Sequence, residues 1–287
     1  MTENLEALLT LKKTGTMRAT ATELRLTPSA VSKRIAFLEE SLGYRLIEPQ
    51  GRKVLLTASA LRLCERLEPL LADLRSLLSE ERGSEAGDVA IGISESLLAS
   101  WGAHLLAAVS QELPQARLLI NTHRSPVVID RIRSGEYSLG ICAGVASRLS
   151  DLKVEVLTEE PIVLIPSGLK PIRIGKEPLE VISIESHSAT GEGLRTQMKK
   201  LSVPIKVTRE LQSYSGIVQL AAAGLGHALA PEGIAKALGV PPKCRLTLPG
   251  EGLSRPISLV MRPSALGRGA VESVAETLRK KARDLKW

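Results

Sequence analysis

Thr27-Pro28 opens a helix with little alternative: the threonine offers a side-chain oxygen as N-cap, and proline sits where a helical N–H would have no partner. Beyond it, Val31, Ile35, Leu38 and Leu42 recur at i, i+4, i+7 and i+11, one apolar stripe, and Gly43 ends the run. Advancing about 100° per residue, Ser29, Lys33 and Ala36 lie opposite that stripe, while Ser32 and Arg34 flank it. Such a helix is anchored by one side and presents small, polar, basic side chains on the other.

The elements around it complete a pattern. Leu5, Leu8, Leu9 and Leu11 mark a helix over residues 3–13 that Gly15 stops. Thr16 caps a second helix to about Leu24, whose Ala19 and Ala21 let a neighbour approach closely. A helix, a three-residue turn and a second helix with a basic outer face form a helix-turn-helix, whose second helix suits a DNA major groove. Downstream, Tyr44–Ile47 and Val54–Thr57 read as two short strands around Pro49-Gln-Gly-Arg-Lys, a wing with Arg52 and Lys53 at its tip. Nine basic and four acidic residues between Lys12 and Lys53 leave a local excess of +5, out of +7 for the chain, which suits a polyanion partner. A plain three-helix packing module would explain the helices singly, but not their order with a basic wing and a long helix behind.

The run Gly15-Thr-Met-Arg-Ala-Thr-Ala21-Thr-Glu-Leu24, then Thr27-Pro-Ser-Ala30-Val-Ser32-Lys-Arg-Ile35, Leu38-Glu39, Leu42-Gly43, Leu46 and Leu56-Thr57 resembles the LysR-type transcriptional regulators. The likeness is specific over roughly residues 3–80 and continues in element order to the C-terminus. It implies a homodimer or homotetramer on double-stranded DNA, tuned by a small-molecule effector. The recognition-helix positions carry over to Thr27, Pro28, Ser29, Ser32, Lys33 and Arg34, and the wing position to Arg52. The family usually has glutamine where Pro28 stands, so an adenine reader is missing here.

From Ala58 to about Glu81 one long helix carries Leu63, Leu67, Leu70, Leu71, Leu74, Leu77 and Leu78, a stripe broad enough for a partner helix. Pro69 should kink it. Gly83–Gly87 reads as a hinge. The expected division is a winged helix-turn-helix over 1–58, a linker and dimerisation helix over 59–83, and an effector domain over 84–287.

Past Gly87 strands alternate with helices, the mark of an α/β sheet. Strands are expected at 88–93, 117–121, 139–143, 152–157, 162–165, 181–184, 205–209, 228–230 and 257–261, with Pro161 separating the fourth and fifth. Helices are expected at 97–111, 127–134, 190–200 and 213–223, and a polar one at 270–286. Two lobes (about 88–160 plus 262–287, and 161–261) resemble the type 2 periplasmic-binding fold. Ligands of open α/β sheets bind beyond the carboxyl ends of strands and at helix N-termini. By resemblance Ser94, Ser96, Ser125 and Thr190 line the site, and His227 closes it. Hydroxyl and backbone donors there favour an anionic or carboxylate-bearing effector.

Other classes find less support. Four dispersed histidines, with no H-E-x-x-H, G-x-S-x-G or C-x-x-C, give no catalytic or metal motif, so neither an enzyme nor a cofactor is expected. Cys64, Cys142 and Cys244 form no disulfide framework, although Cys142 and Cys244 would be the pair for a redox sensor. A DNA-architectural protein without a ligand would not need a two-lobed α/β domain. No membrane span and no secretion signal are visible, so a cytoplasmic location is expected.

Overall fold

The computed structural model describes residues 1–50, 53–80, 87–145, 149–175, 177–265 and 269–285, in two compact units, Met1–Leu78 and Ser79–Trp287.

In the first unit α1 (Thr2–Thr14), α2 (Met17–Leu24) and α3 (Pro28–Leu42) form the helical part. Their ends follow from the residues placed there. Thr16 and Thr27 each accept an N-cap hydrogen bond, from the amides of Ala19 and Ala30. Gly15 and Gly43 stop α1 and α3 in the left-handed region, at φ 71° and 76°. Ala7, Leu8, Leu11, Ala21, Val31, Ile35 and Leu38 make one core. Leu42 does not join it; it stands in the last turn, beyond the core, and is 39% exposed. β1 (Ile47–Gln50) and β2 (Lys53–Leu56) pair antiparallel from Ile47↔Leu56 to Gln50↔Lys53, a wing whose first strand lies three residues later than the expected Tyr44–Ile47 and takes Pro49 and Gln50 out of the turn. α4 (Ala58–Glu80) follows as a single helix through Pro69, and its Ala60 and Cys64 join the same core, against which Ile47, Val54 and Leu56 of the wing pack.

The second unit is built on an eight-stranded mixed sheet. In the first lobe β3 (Gly87–Ser94) lies between β4 (Ala116–His123) and β5 (Leu139–Ala143), all parallel. In the second, β7 (Leu179–Ile184) lies parallel to β8 (Ile205–Leu211) and to β9 (His227–Pro231). Two antiparallel strands, β6 (Lys153–Ile165) and β10 (Leu253–Met261), run from one lobe into the other. β10 joins β5 from Ile257 onward, and β6 joins β9 from Ile162 onward. The helices are α5 (Glu95–Leu97), α6 (Ala103–Glu112), α7 (Ser125–Arg133), α8 (Ala189–Met198), α9 (Tyr214–Ala222), α10 (Glu232–Ala237) and α11 (Gly269–Arg283).

Three elements of the second unit depart from the sequence expectation. Pro161 does not break the strand; at that residue β6 is paired only with β10, opposite Ser254, so the missing N–H falls where the ladder has an open side. The helix expected over 97–111 contains a π turn, Leu98–Gly102, set against Ile93 and the Leu97 carbonyl so tightly that a β-carbon at Gly102 would lie 2.7 Å from that oxygen. The closing helix α11 is amphipathic: Val271, Val274, Ala275 and Leu278 join the first-lobe core with Val89, Ile91 and Ile93.

Candidate DNA-binding face and effector cleft

Thr27, Pro28, Ser29, Ser32 and Lys33 are all exposed on α3, opposite buried Val31, Ile35 and Leu38. Thr27 is partly committed to structure, since its Oγ1 accepts from Ala30 N at 3.2 Å and lies 3.0 Å from Ser29 Oγ. Arg34 is turned back toward α1, donating to Glu3 Oε2 at 2.6 Å and to the Glu3 carbonyl at 3.2 Å. Arg52 lies outside the described residues, as does the side chain of Lys53, whose backbone closes the wing. Glu39 does work that the helical pattern does not reveal: its Oε1 accepts from the amides of Leu46 and Ile47 at 2.7 and 3.2 Å, fastening the wing to α3. Thr57 adds a second tie, donating to the Arg45 carbonyl at 2.9 Å while capping α4 through Ala60 N.

In the second unit a cleft of about 300 Å³ opens at the carboxyl ends of the parallel strands. It gathers Ser94 and Ser96 after β3, Ser125 at the start of α7, and Thr190 in the first turn of α8. Ser94 and Ser125 are buried and spend their protons in the wall: Ser94 Oγ and Ser125 Oγ lie 2.7 Å apart, and Ser125 Oγ donates to the Ala143 carbonyl at 2.9 Å. Ala143 N donates back to both hydroxyls at 3.2 Å. Backbone contact here is close. Gly144 adopts φ 80°, and a β-carbon on it would come within 2.5 Å of Thr190 N. A β-carbon on Gly191 would lie 2.1 Å from the Glu185 carbonyl, in the turn that Ser188 caps through Gly191 N. Small residues therefore let the α8 N-terminus face the end of β5.

Sequence reasoning missed the floor of this cleft. Arg255 on β10 is 1% exposed and Glu160 on β6 is fully buried. Arg255 Nε donates to Glu160 Oε2 at 2.8 Å, and its Nη2 approaches the same oxygen at 2.6 Å. The other carboxylate oxygen accepts from Trp101 Nε1 at 3.1 Å and from Gly233 N at 3.2 Å. Arg255 Nη1 donates to Ser96 Oγ at 3.0 Å, and its guanidinium carbon stands 5.2 Å from the centre of the Tyr214 ring. Burial pushes the Tyr214 hydroxyl up to about 12, against the pull of Arg255. Isolated Arg, Glu, Trp and Tyr far apart in the chain carry no spacing signal; antiparallel β6 and β10 set Glu160 opposite Arg255, and the packing of the Leu98–Gly102 turn and of α9 brings Trp101 and Tyr214 to them.

His227 is not in the cleft. It begins β9, level with Val181 of parallel β7, and a strand's first residue lies at the opposite end of the sheet from the carboxyl ends. There its Nδ1 accepts from Ser167 N at 3.0 Å. Nor do the cysteines pair: Cys142 is buried in a first-lobe cluster with Val128 and Ile132, and Cys244 in the second-lobe core. Burial pushes the Cys142 thiol up to about 12, far from a reactive thiolate. Among the described residues no cluster of side chains suits a metal ion, and no helix is long and apolar enough to cross a membrane.

Comparison with known proteins agrees with both halves of this geometry. Residues 2–61 match the bacterial regulatory helix-turn-helix protein family of lysR type, and residues 82–283 match the LysR substrate binding domain. A relative from Vibrio cholerae serotype O1, described as an uncharacterized HTH-type transcriptional regulator, is 31% identical over 278 residues, covering 96% of this chain and 94% of its own. Full-length OxyR from Pseudomonas aeruginosa shares the fold at a TM-score of 0.73 and 17% identity, covering 96% of each chain. Full-length CbnR complexed with its target DNA does so at 0.59 and 17%, over 98% of this chain and 99% of that one. With a winged helix-turn-helix at its start and a substrate-binding domain behind it, this chain belongs to the LysR family of DNA-binding transcriptional regulators.

Proposed function

We propose that α3 enters the DNA major groove with Ser29, Ser32 and Lys33 foremost, that Arg52 and Lys53 of the wing meet the backbone, and that a small anionic effector in the second-unit cleft sets promoter occupancy. The chain acts in the cytoplasm as a homodimer or homotetramer. The carrying observation is the outward exposure of Pro28, Ser29, Ser32 and Lys33 on a helix whose other side is locked into the core. Short side chains let the helix backbone approach base edges, and Lys33 supplies a cation for phosphate or guanine acceptors. Arg34 has a different part in this reading. Paired with Glu3, it sets the angle of α3 against α1 rather than reading bases.

The case for an anion rests on the N-termini of α7 and α8, which both open on the cleft and carry partial positive charge. Arg124 adds a cation at the rim, shared with Glu185 at 3.4 Å. Footprinting on the DNA upstream of the protein's own gene, with and without metabolites handled by neighbouring operons, tests the whole reading. Protection over about two helical turns is expected for a dimer, with an occupancy or footprint length that changes when the right metabolite is added. A protein that protects no discrete sequence there at moderate salt is not reading DNA through α3.

A further inference from the structure

Two buried polar atoms at the floor of the cleft lack a hydrogen-bond partner: Tyr214 Oη and Arg255 Nη2. Buried donors without partners are rare and call for an explanation. Nη2 is ion-paired to Glu160 Oε2 at 2.6 Å but makes no aligned hydrogen bond to it, that bond coming from Nε; with Nη1 given to Ser96, Nη2 is the corner of the guanidinium whose outward N–H has no acceptor. Tyr214 Oη, held between Thr190 and Arg255, also finds no well-formed bond. Ser96 Oγ accepts from Arg255 Nη1, so its own proton remains free to be donated.

Resting on the reading of this cleft as the effector site, we propose that Arg255, Tyr214 and Ser96 form the anchor for one carboxylate of the effector, and that Glu160 is a positioning residue that holds Arg255 in place. All three groups can donate, and a carboxylate offers only acceptors. A guanidinium can serve a carboxylate along each of two edges, so Glu160 on one leaves another for the ligand. The negative groups nearby do not occupy that edge: Glu160 is saturated by Arg255, Trp101 and Gly233, and Glu95 is exposed at the mouth. Burial makes the anchor selective, because a ligand that cannot accept leaves the floor donors unmet.

Calorimetric titration of the full chain with benzoate, succinate and pyruvate, each against its primary amide at matched ionic strength, tests this. At least one carboxylate should bind and its amide should bind at least tenfold more weakly. Tyr214→Phe, which keeps the ring and the fold, should weaken that carboxylate about tenfold without changing the DNA footprint measured in its absence. Arg255→Lys, which keeps the charge against Glu160, should weaken it further. Equal affinity in wild type and Tyr214→Phe overturns the anchor, as does an amide that binds as well as its acid; in the latter case the cleft survives as an effector site. A wild-type protein that binds none of the three acids also overturns it, whereas the footprint reports separately on DNA binding.

Discussion

Lys33 and Arg52 carry the residue-scale consequences for DNA. Lys33→Ala should weaken operator binding, with a larger loss on the preferred sequence than on random duplex. Arg52→Ala should weaken both about equally and flatten the dependence of log K on log salt by about one unit, the signature of one lost phosphate contact. Filter binding at several salt concentrations separates the two; an Arg52→Ala protein with unaltered affinity and slope refutes the placing of the wing on DNA. The buried thiols make a second prediction at this scale. In the folded protein Cys142 titrates near 12 rather than near 9.0, so its contribution to stability is whole below about pH 9 and is lost as pH rises toward 12, because the unfolded chain gives up its proton first. The loss is on the order of 4 kcal/mol by the top of that window. Urea denaturation at pH 8 and pH 10.5 should show the decline, and Cys142→Ser should reduce it.

At the scale of elements, α4 shows how burial divides a helix that sequence makes uniformly leucine-rich. Cys64 and Leu71 are buried and Leu63 and Leu67 are half-buried, yet Leu70 is 64% exposed and Leu74 42%. In the proposed homodimer, leucines left outside the unit's own core are the ones a second copy would cover. Leu70→Lys should therefore weaken self-association about tenfold or more, since burying one leucine side chain contributes about 1.5–3 kcal/mol. Sedimentation equilibrium at micromolar concentration reads this directly, and an unshifted dimer would place the interface elsewhere. The stop and start signals of these helices were legible residue by residue: Thr16 and Thr27 cap, and Gly15 and Gly43 terminate, through local backbone chemistry alone. The π turn at Leu98–Gly102 was not legible, because it answers to the close fit of Gly102 against Ile93 rather than to any local propensity.

For the molecule as a whole, the Glu160–Arg255 pair sits where both long strands pass between lobes. Glu160 takes a bond from Trp101 in the first lobe and from Gly233 in the second, so one carboxylate ties the two. Glu160→Gln leaves a buried arginine uncompensated and should cost about 3–5 kcal/mol, seen as a large drop in the melting temperature. A near-neutral effect would show that this carboxylate contributes nothing to holding the lobes together beyond the two shared strands. The same junction separates what could be read in advance from what could not. Order of elements, caps, the apolar stripe of α3 and the serines at strand ends are written locally, and local chemistry acts over a turn or two of chain, so sequence by itself determined a helix-turn-helix followed by an α/β sheet with hydroxyls at its carboxyl ends. Which strand passes between which, that Pro161 is tolerated, that His227 falls at the far end of the sheet, and that Arg255 meets Glu160, Trp101 and Tyr214 depend on pairings between residues tens of positions apart. Only the tertiary structure decided those, because long-range contacts are selected by the packing of the whole chain and leave no periodicity in any one segment.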